Sequence, residues 1–111
     1  MERLKDKKCR ACREDSPRAA PEKINEYMTQ LPGWKLIRAD GEDRLQKVFR
    51  FKNFRLALDF TNRVGELAEA ADHHPALLTE WGRVTVTWWT HKIHGLHEND
   101  FIMAAETDGL L

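Results

Sequence analysis

Residues 69–91 read EAADHHPALLTEWGRVTVTWWTH, and the local signals in this one stretch decide the fold. Its first residues close a helix. Upstream, Phe54, Leu58, Thr61, Val64, Ala68 and Ala71 recur at helical spacing, with Asn53 placed as the N-cap. The spacing predicts a helix that runs to about Asp72 or His73. His74 precedes Pro75, and a residue before proline is pushed from the α region towards extended backbone. Residues 76–81 then predict a short strand and Gly82 a turn. Residues 84–90 are β-branched and aromatic, as a second strand requires. Along it Val84, Val86 and Trp88 face one way, towards the helices, while Thr85, Thr87, Trp89 and His91 face the side that the helices leave uncovered.

The same stretch carries the titratable side chains. All five histidines fall between His73 and His97. Glu69, Asp72 and His73 stand at i, i+3 and i+4, on one side of the last helical turn. The negative end of the helix dipole and two carboxylates suit a histidine there to general acid and base work. The plainer alternative is a polar C-cap, since histidine is favourable in a last turn anyway. His91 taken alone reads equally as a surface residue at a strand end. His91, His94 and His97 recur every third residue, which also raises a zinc site. Gly95 interrupts that run and no acid or thiol completes the ligand set, so no metal is expected.

Working outward, Pro21 suits the first position of a helix, with Glu22 in its first turn and Ile24, Tyr27, Met28 and Leu31 as its apolar stripe. Pro32-Gly33 ends it. Trp34 and Leu36 begin a strand, Asp40-Gly41 signals a turn, and Leu45, Phe49 and Phe51 alternate along a second strand. The loop between them is expected to exceed two residues. A last helix is expected near Glu98, with Phe101, Ile102 and Ala105 inward and Asp100 in its first turn, where the helix dipole stabilises an acid. The order α-β-β-α-β-β-α predicts an α+β domain of two layers, a four-stranded antiparallel sheet with helices on one face.

The run Glu69-x-x-Asp72-His73-His74-Pro75, then Trp81, Thr90-His91, Gly95-Leu96 and Glu98-x-Asp100, resembles the signature of the pterin-4a-carbinolamine dehydratases, also known as the dimerisation cofactor of a homeodomain transcription factor. The likeness extends upstream through Pro32-Gly33-Trp34, Phe49-x-Phe51-Lys52 and Phe54, so it covers about residues 24–105. The resemblance implies the same fold, with sheets joined across a dimer and dimers paired into a tetramer. It implies loss of water from a 4a-hydroxytetrahydropterin to give the quinonoid dihydropterin, recycling the tetrahydropterin of an aromatic amino acid hydroxylase, with no cofactor. By the same resemblance His73, His74 and His91 are the catalytic histidines. Glu69, Asp72 and Asp100 are the accompanying acids, and Trp34 is an aromatic near the pterin site. The family commonly has Ser or Thr where this chain has His97, a poorer cap, so the last helix is expected to fray at its start. Two other readings stay beside this one: a binding protein that serves a transcription factor or an enzyme's assembly, and an enzyme acting on another pterin, as in molybdenum-cofactor metabolism.

At 111 residues the chain is expected to form one domain, residues 21–111, behind a charged tail, residues 1–20. That tail holds Cys9-x-x-Cys12 without a second ligand pair, and reads as a flexible solvated segment. Lys plus Arg balances Asp plus Glu at 18 each, which gives no support for nucleic-acid or membrane affinity. No apolar run approaches membrane-spanning length, and MERLKDKKCR lacks the apolar segment of a signal peptide, so a cytoplasmic location is the expectation.

Overall fold

The computed structural model describes residues 3–4 and 18–111. Helix α1 spans Pro21–Met28, strands β1 and β2 span Lys35–Ala39 and Glu42–Arg50, and helix α2 spans Phe54–Ala71. Strands β3 and β4 span Ala76–Glu80 and Arg83–Trp88, a 3-10 turn spans His91–Ile93, and helix α3 spans Glu98–Asp108. The strands form one antiparallel sheet in the order β1-β2-β4-β3, the α+β arrangement that the sequence predicts.

The inward row of β4, Val84, Val86 and Trp88, is fully buried. Its register sets Phe49 of β2 opposite Val84 and Leu45 opposite Trp88, which makes one continuous apolar face. Helix α2 covers that face with Ala57, Phe60, Val64 and Ala68. Val64 and Ala68 belong to the expected stripe, but in the N-terminal half the buried line runs through Ala57 and Phe60 instead, with Phe54 exposed and Leu58, Thr61 and Ala71 only half-buried. The Phe60 ring lies 4.7 Å from Phe49 and 5.2 Å from Phe51, centre to centre. Helix α1 adds Tyr27, whose ring lies 5.0 Å from Phe101 of α3. Each of the larger apolar side chains here, Phe60, Val64 and Phe101 among them, contributes about 1.5–3 kcal/mol when fully buried. Asn53 caps α2 by accepting from the Leu56 N–H at 2.9 Å.

Two local expectations are corrected. The β1–β2 loop is two residues, not longer: Ala39 pairs with Glu42, leaving Asp40-Gly41 as the whole turn. Both take positive φ, 52° and 76°, the geometry that matches the right-handed twist of the strands it joins. The start of α3 is not a weak cap. His97 Nδ1 accepts from the Asn99 N–H at 3.0 Å, while the Asp100 carboxylate reaches back to accept from the His97 N–H at 2.9 Å. An imidazole lone pair does here what a serine oxygen does elsewhere, and the reciprocal bond completes a capping box.

Two described parts of the stretch expected to be a tail, residues 3–4 and 18–20, bond the domain. Leu4 is buried in the core, its N–H donating to Gln30 Oε1 at 2.8 Å. Arg18 Nε donates to the Ile93 carbonyl at 2.9 Å, and the Ala19 N–H to the Leu96 carbonyl at 2.9 Å. Cys9 and Cys12 lie outside the described residues.

Candidate active site

The end of α2 is shaped by backbone hydrogen bonds before any side chain is considered. Asp72 takes the left-handed conformation, φ 51°, which aspartate tolerates better than most residues. Its N–H bonds the Glu69 carbonyl and the His73 N–H bonds the Ala68 carbonyl, both at 3.2 Å. This is a Schellman close, and it turns the chain sharply off the helix axis. His73 is thereby sent inward to the sheet, while His74 stays outside, ahead of Pro75 and β3.

Inward, the His73 ring stacks on buried Trp88, with ring centres 5.6 Å apart and planes 6° from parallel. Its Nε2 lies 2.7 Å from Asp100 Oδ1. Asp100, on the first turn of α3, is fully buried. Its other oxygen, Oδ2, accepts from the Thr90 hydroxyl at 2.7 Å and from the His97 N–H at 2.9 Å. A carboxylate can only accept, so His73 Nε2 carries the proton of that bond and the Nδ1 edge of the neutral ring is the basic one.

Outside, His74 Nε2 meets Glu69 Oε1 at 2.5 Å, with the two side chains 54% and 77% exposed. Water screens such a pair, so it orients His74 more loosely than Asp100 orients His73. Beyond β4 the chain runs through buried Trp89 and Thr90 into the 3-10 turn that starts at exposed His91. The Trp89 ring lies 4.5 Å from His91, and the Arg44 guanidinium lies 4.0 Å from the indole centre. A bridge between Thr90 and Gly95 folds the loop back on itself and fixes where His91 leaves the sheet.

These segments enclose a cleft of about 390 Å³, lined by Ala71, Asp72, His73, His74, Trp89, Thr90, His91 and Lys92. That volume falls in the range of small-molecule sites. The structure therefore brings His73, His74, His91 and Asp72 together on one cleft, with Asp100 behind His73 and Glu69 beside His74. Trp34 is not brought there. It is buried against Phe49, and its Nε1 donates to the Asp108 carboxylate at 3.1 Å. Asp108 lies eight residues beyond Asp100 on α3, or about 12 Å along the helix axis. The other histidines are dispersed: His94 Nδ1 lies 3.8 Å from Glu42 and His97 caps α3. Among the described residues no three His, Cys, Asp or Glu side chains form a metal-ligand group. Two contributors do not stand out in the sequence as parts of the site, Thr90 as the partner of Asp100 and Trp88 as the surface under His73. Neither spacing nor composition signals a bond between residues 10 positions apart on different elements.

The sequence model of the family described as "Pterin 4 alpha carbinolamine dehydratase" matches residues 17–110. This chain belongs to that family. Among its curated relatives in the dehydratase family, one from Nitrosococcus oceani, named "Putative pterin-4-alpha-carbinolamine dehydratase", is 60% identical over 111 residues, covering all of this chain and 98% of the relative. One of the same name from Syntrophotalea carbinolica is 56% identical, covering all of this chain and 99% of the relative. Of solved structures, a transcriptional coactivator/pterin dehydratase from Brucella melitensis superposes with a TM-score of 0.76 at 33% identity, over 85% of this chain and 98% of that one. A pterin dehydratase-like RuBisCO assembly factor of the alpha-carboxysome superposes with a TM-score of 0.60 at 23% identity, over 70% and 88% of the two chains, and shares the fold.

Proposed function

We propose that this chain dehydrates a 4a-hydroxytetrahydropterin to the quinonoid dihydropterin by general acid and base catalysis at the histidine cleft. The C4a–O bond breaks, an imidazolium gives its proton to the departing hydroxyl, and a ring nitrogen of the pterin loses a proton to an imidazole or to water. Water is the only other product, so atoms and charge balance without an oxidant or a covalent adduct. The observation that carries this reading is the convergence of His73, His74 and His91 on one cleft of small-molecule size. Their settings differ in a way that suits different duties. His73 is buried and held at Nε2 by a carboxylate, which steadies the ring whether it gives or takes a proton at Nδ1. His91 is exposed and His74 is half-exposed, so both exchange protons with solvent directly. On this reading His73 and His91 serve the hydroxyl, and His74 binds the pterin and exchanges protons, with Glu69, Asp72 and Asp100 orienting imidazoles or accepting from ring N–H groups. The substrate is then supplied by a tetrahydropterin-dependent aromatic hydroxylase.

The test is stopped-flow decay of enzymatically generated 4a-hydroxytetrahydropterin, with the parent and with a His73→Ala/His74→Ala double variant. The parent is expected to accelerate the decay and the folded double variant to lose that acceleration. Decay at the spontaneous rate with the parent sinks the proposal.

A further inference from the structure

The Asp100 carboxylate touches all three chain segments that meet behind the cleft. It bonds His73 after α2, Thr90 after β4 and His97 at the start of α3. Its two oxygens are divided between these partners. Oδ2 receives both the Thr90 hydroxyl and the His97 N–H, and Oδ1 is left for His73. A carboxylate on a single carbon–carbon bond rotates freely unless its oxygens are distinguished, and here the Thr90 hydroxyl and the cap N–H distinguish them. The Thr90 contribution is itself fixed. The residue is 2% exposed, and its N–H donates to the Gly95 carbonyl at 2.9 Å, so the hydroxyl has little room to leave. Its neighbour in sequence is His91, whose starting point the same Thr90–Gly95 bridge defines.

We infer that Thr90 is a positioning residue of the site: its hydroxyl orients Asp100 so that Oδ1 faces His73, and so couples the placement of the imidazole after α2 to that of the imidazole after β4. The inference deepens the dehydratase reading and rests on it for the reaction, although the coupling itself is a property of the folded chain. Thr90 touches no reacting atom in this scheme. Its hydroxyl acts through Asp100, which acts through His73, and the end effect is which ring nitrogen of His73 is offered to the cleft. A misdirected base costs rate far more than affinity, because the geometry that matters is that of proton transfer.

The full-length parent, Thr90→Val and Thr90→Ser are compared by two measurements. Long-range proton–nitrogen NMR correlation of the imidazoles, with His73 assigned through His73→Gln, reads the His73 tautomer. Stopped-flow dehydration reads kcat and KM. Thr90→Val keeps the shape and removes the hydroxyl. It is expected to lower kcat about tenfold with KM within about twofold, and to shift the His73 nitrogen pattern away from a single Nε2–H tautomer. Thr90→Ser restores both. Should Thr90→Val not fold, Thr90→Ala removes the hydroxyl without setting a methyl against the carboxylate. A hydroxyl-free variant with the parental tautomer pattern overturns the inference, as does a Thr90→Ser variant as impaired as the valine one. A parent that does not accelerate dehydration defeats the dehydratase reading, and the tautomer pattern then decides the coupling by itself.

Discussion

Replacing Asp100 by asparagine changes one oxygen to an amide nitrogen inside a fully buried group, and the bonding around it dictates the response. The parent carboxylate receives three donors: the Thr90 hydroxyl, the His97 N–H and His73 Nε2–H. An asparagine side chain can accept at only one atom. The Thr90 hydroxyl can rotate to become an acceptor, but a backbone N–H can only donate, so the His97 N–H holds the amide oxygen in the Oδ2 position. The amide NH2 is then left facing His73 Nε2, donor against donor. The conflict is relieved when the imidazole proton moves to Nδ1, which turns the lone pair away from the cleft. Loss of charged acceptance by buried donors costs about 1–3 kcal/mol. For a chain of this size that corresponds to a fall in Tm of roughly 4–12 °C, so the variant remains folded at room temperature. Its kcat falls by about 100-fold or more, since the acid and base edge of His73 is reversed. Thermal melting, stopped-flow dehydration and imidazole NMR check the three parts. An asparagine variant with parental kcat, or one whose His73 still carries its proton on Nε2, refutes the reasoning.

Other outcomes test the remaining structure. Asp72→Gly keeps the left-handed backbone that closes α2 and removes the carboxyl, so Tm is expected to hold or rise by a few degrees while kcat or KM reports the carboxyl alone. Trp34→Phe removes the bond to Asp108 and is expected to cost about 1.5–3 kcal/mol in denaturant unfolding, with kcat and KM unchanged; a raised KM returns Trp34 to the pterin site. Asn53→Ala removes the cap of α2 and is expected to cost about 1 kcal/mol by the same measurement. Burial holds the Glu106 carboxyl above its ordinary value of 4.5. The folded chain therefore holds that proton to higher pH than the unfolded chain, and stability falls as pH rises through the interval. Glu106→Gln is expected to raise Tm at pH 7, with the gain vanishing below pH 4.5; a gain that is independent of pH contradicts the burial effect.

The elements legible in the sequence are those set by local chemistry. The apolar stripe and Asn53 mark α2, the His74-Pro75 pair marks its end, and the alternation from Val84 to Trp88 marks the strand beneath it. The β1–β2 turn is harder to read because Glu42, Asp43 and Arg44 are strand residues with the composition of a loop, and only the pairing of Glu42 with Ala39 shows it. His97 is undervalued by cap preference, which is an average over side chains, whereas this cap is completed by Asp100. Local signals put His73 and His74 at a helix end and His91 at a strand end, but only the family resemblance joins the three into one site. What holds them is not legible. Thr90 to Asp100 and Trp88 to His73 are contacts between elements, and their partners are chosen by the docking of α3 and of the end of α2 against the sheet.

The order in which the chain is made gives the three-segment junction a further meaning. His73 and Asp100 are 27 residues apart, and everything between them, including both strands of the second hairpin, precedes the acid. Chains fold from the N-terminus during synthesis at about 5–20 residues per second. For the roughly 1–5 s that separate the synthesis of His73 from that of Asp100, His73 has no carboxylate behind it, and the cleft is a shape without its chemistry. A nascent or C-terminally clipped chain is thus expected to be inert even with every histidine present, so competence for proton transfer marks arrival of the last helix.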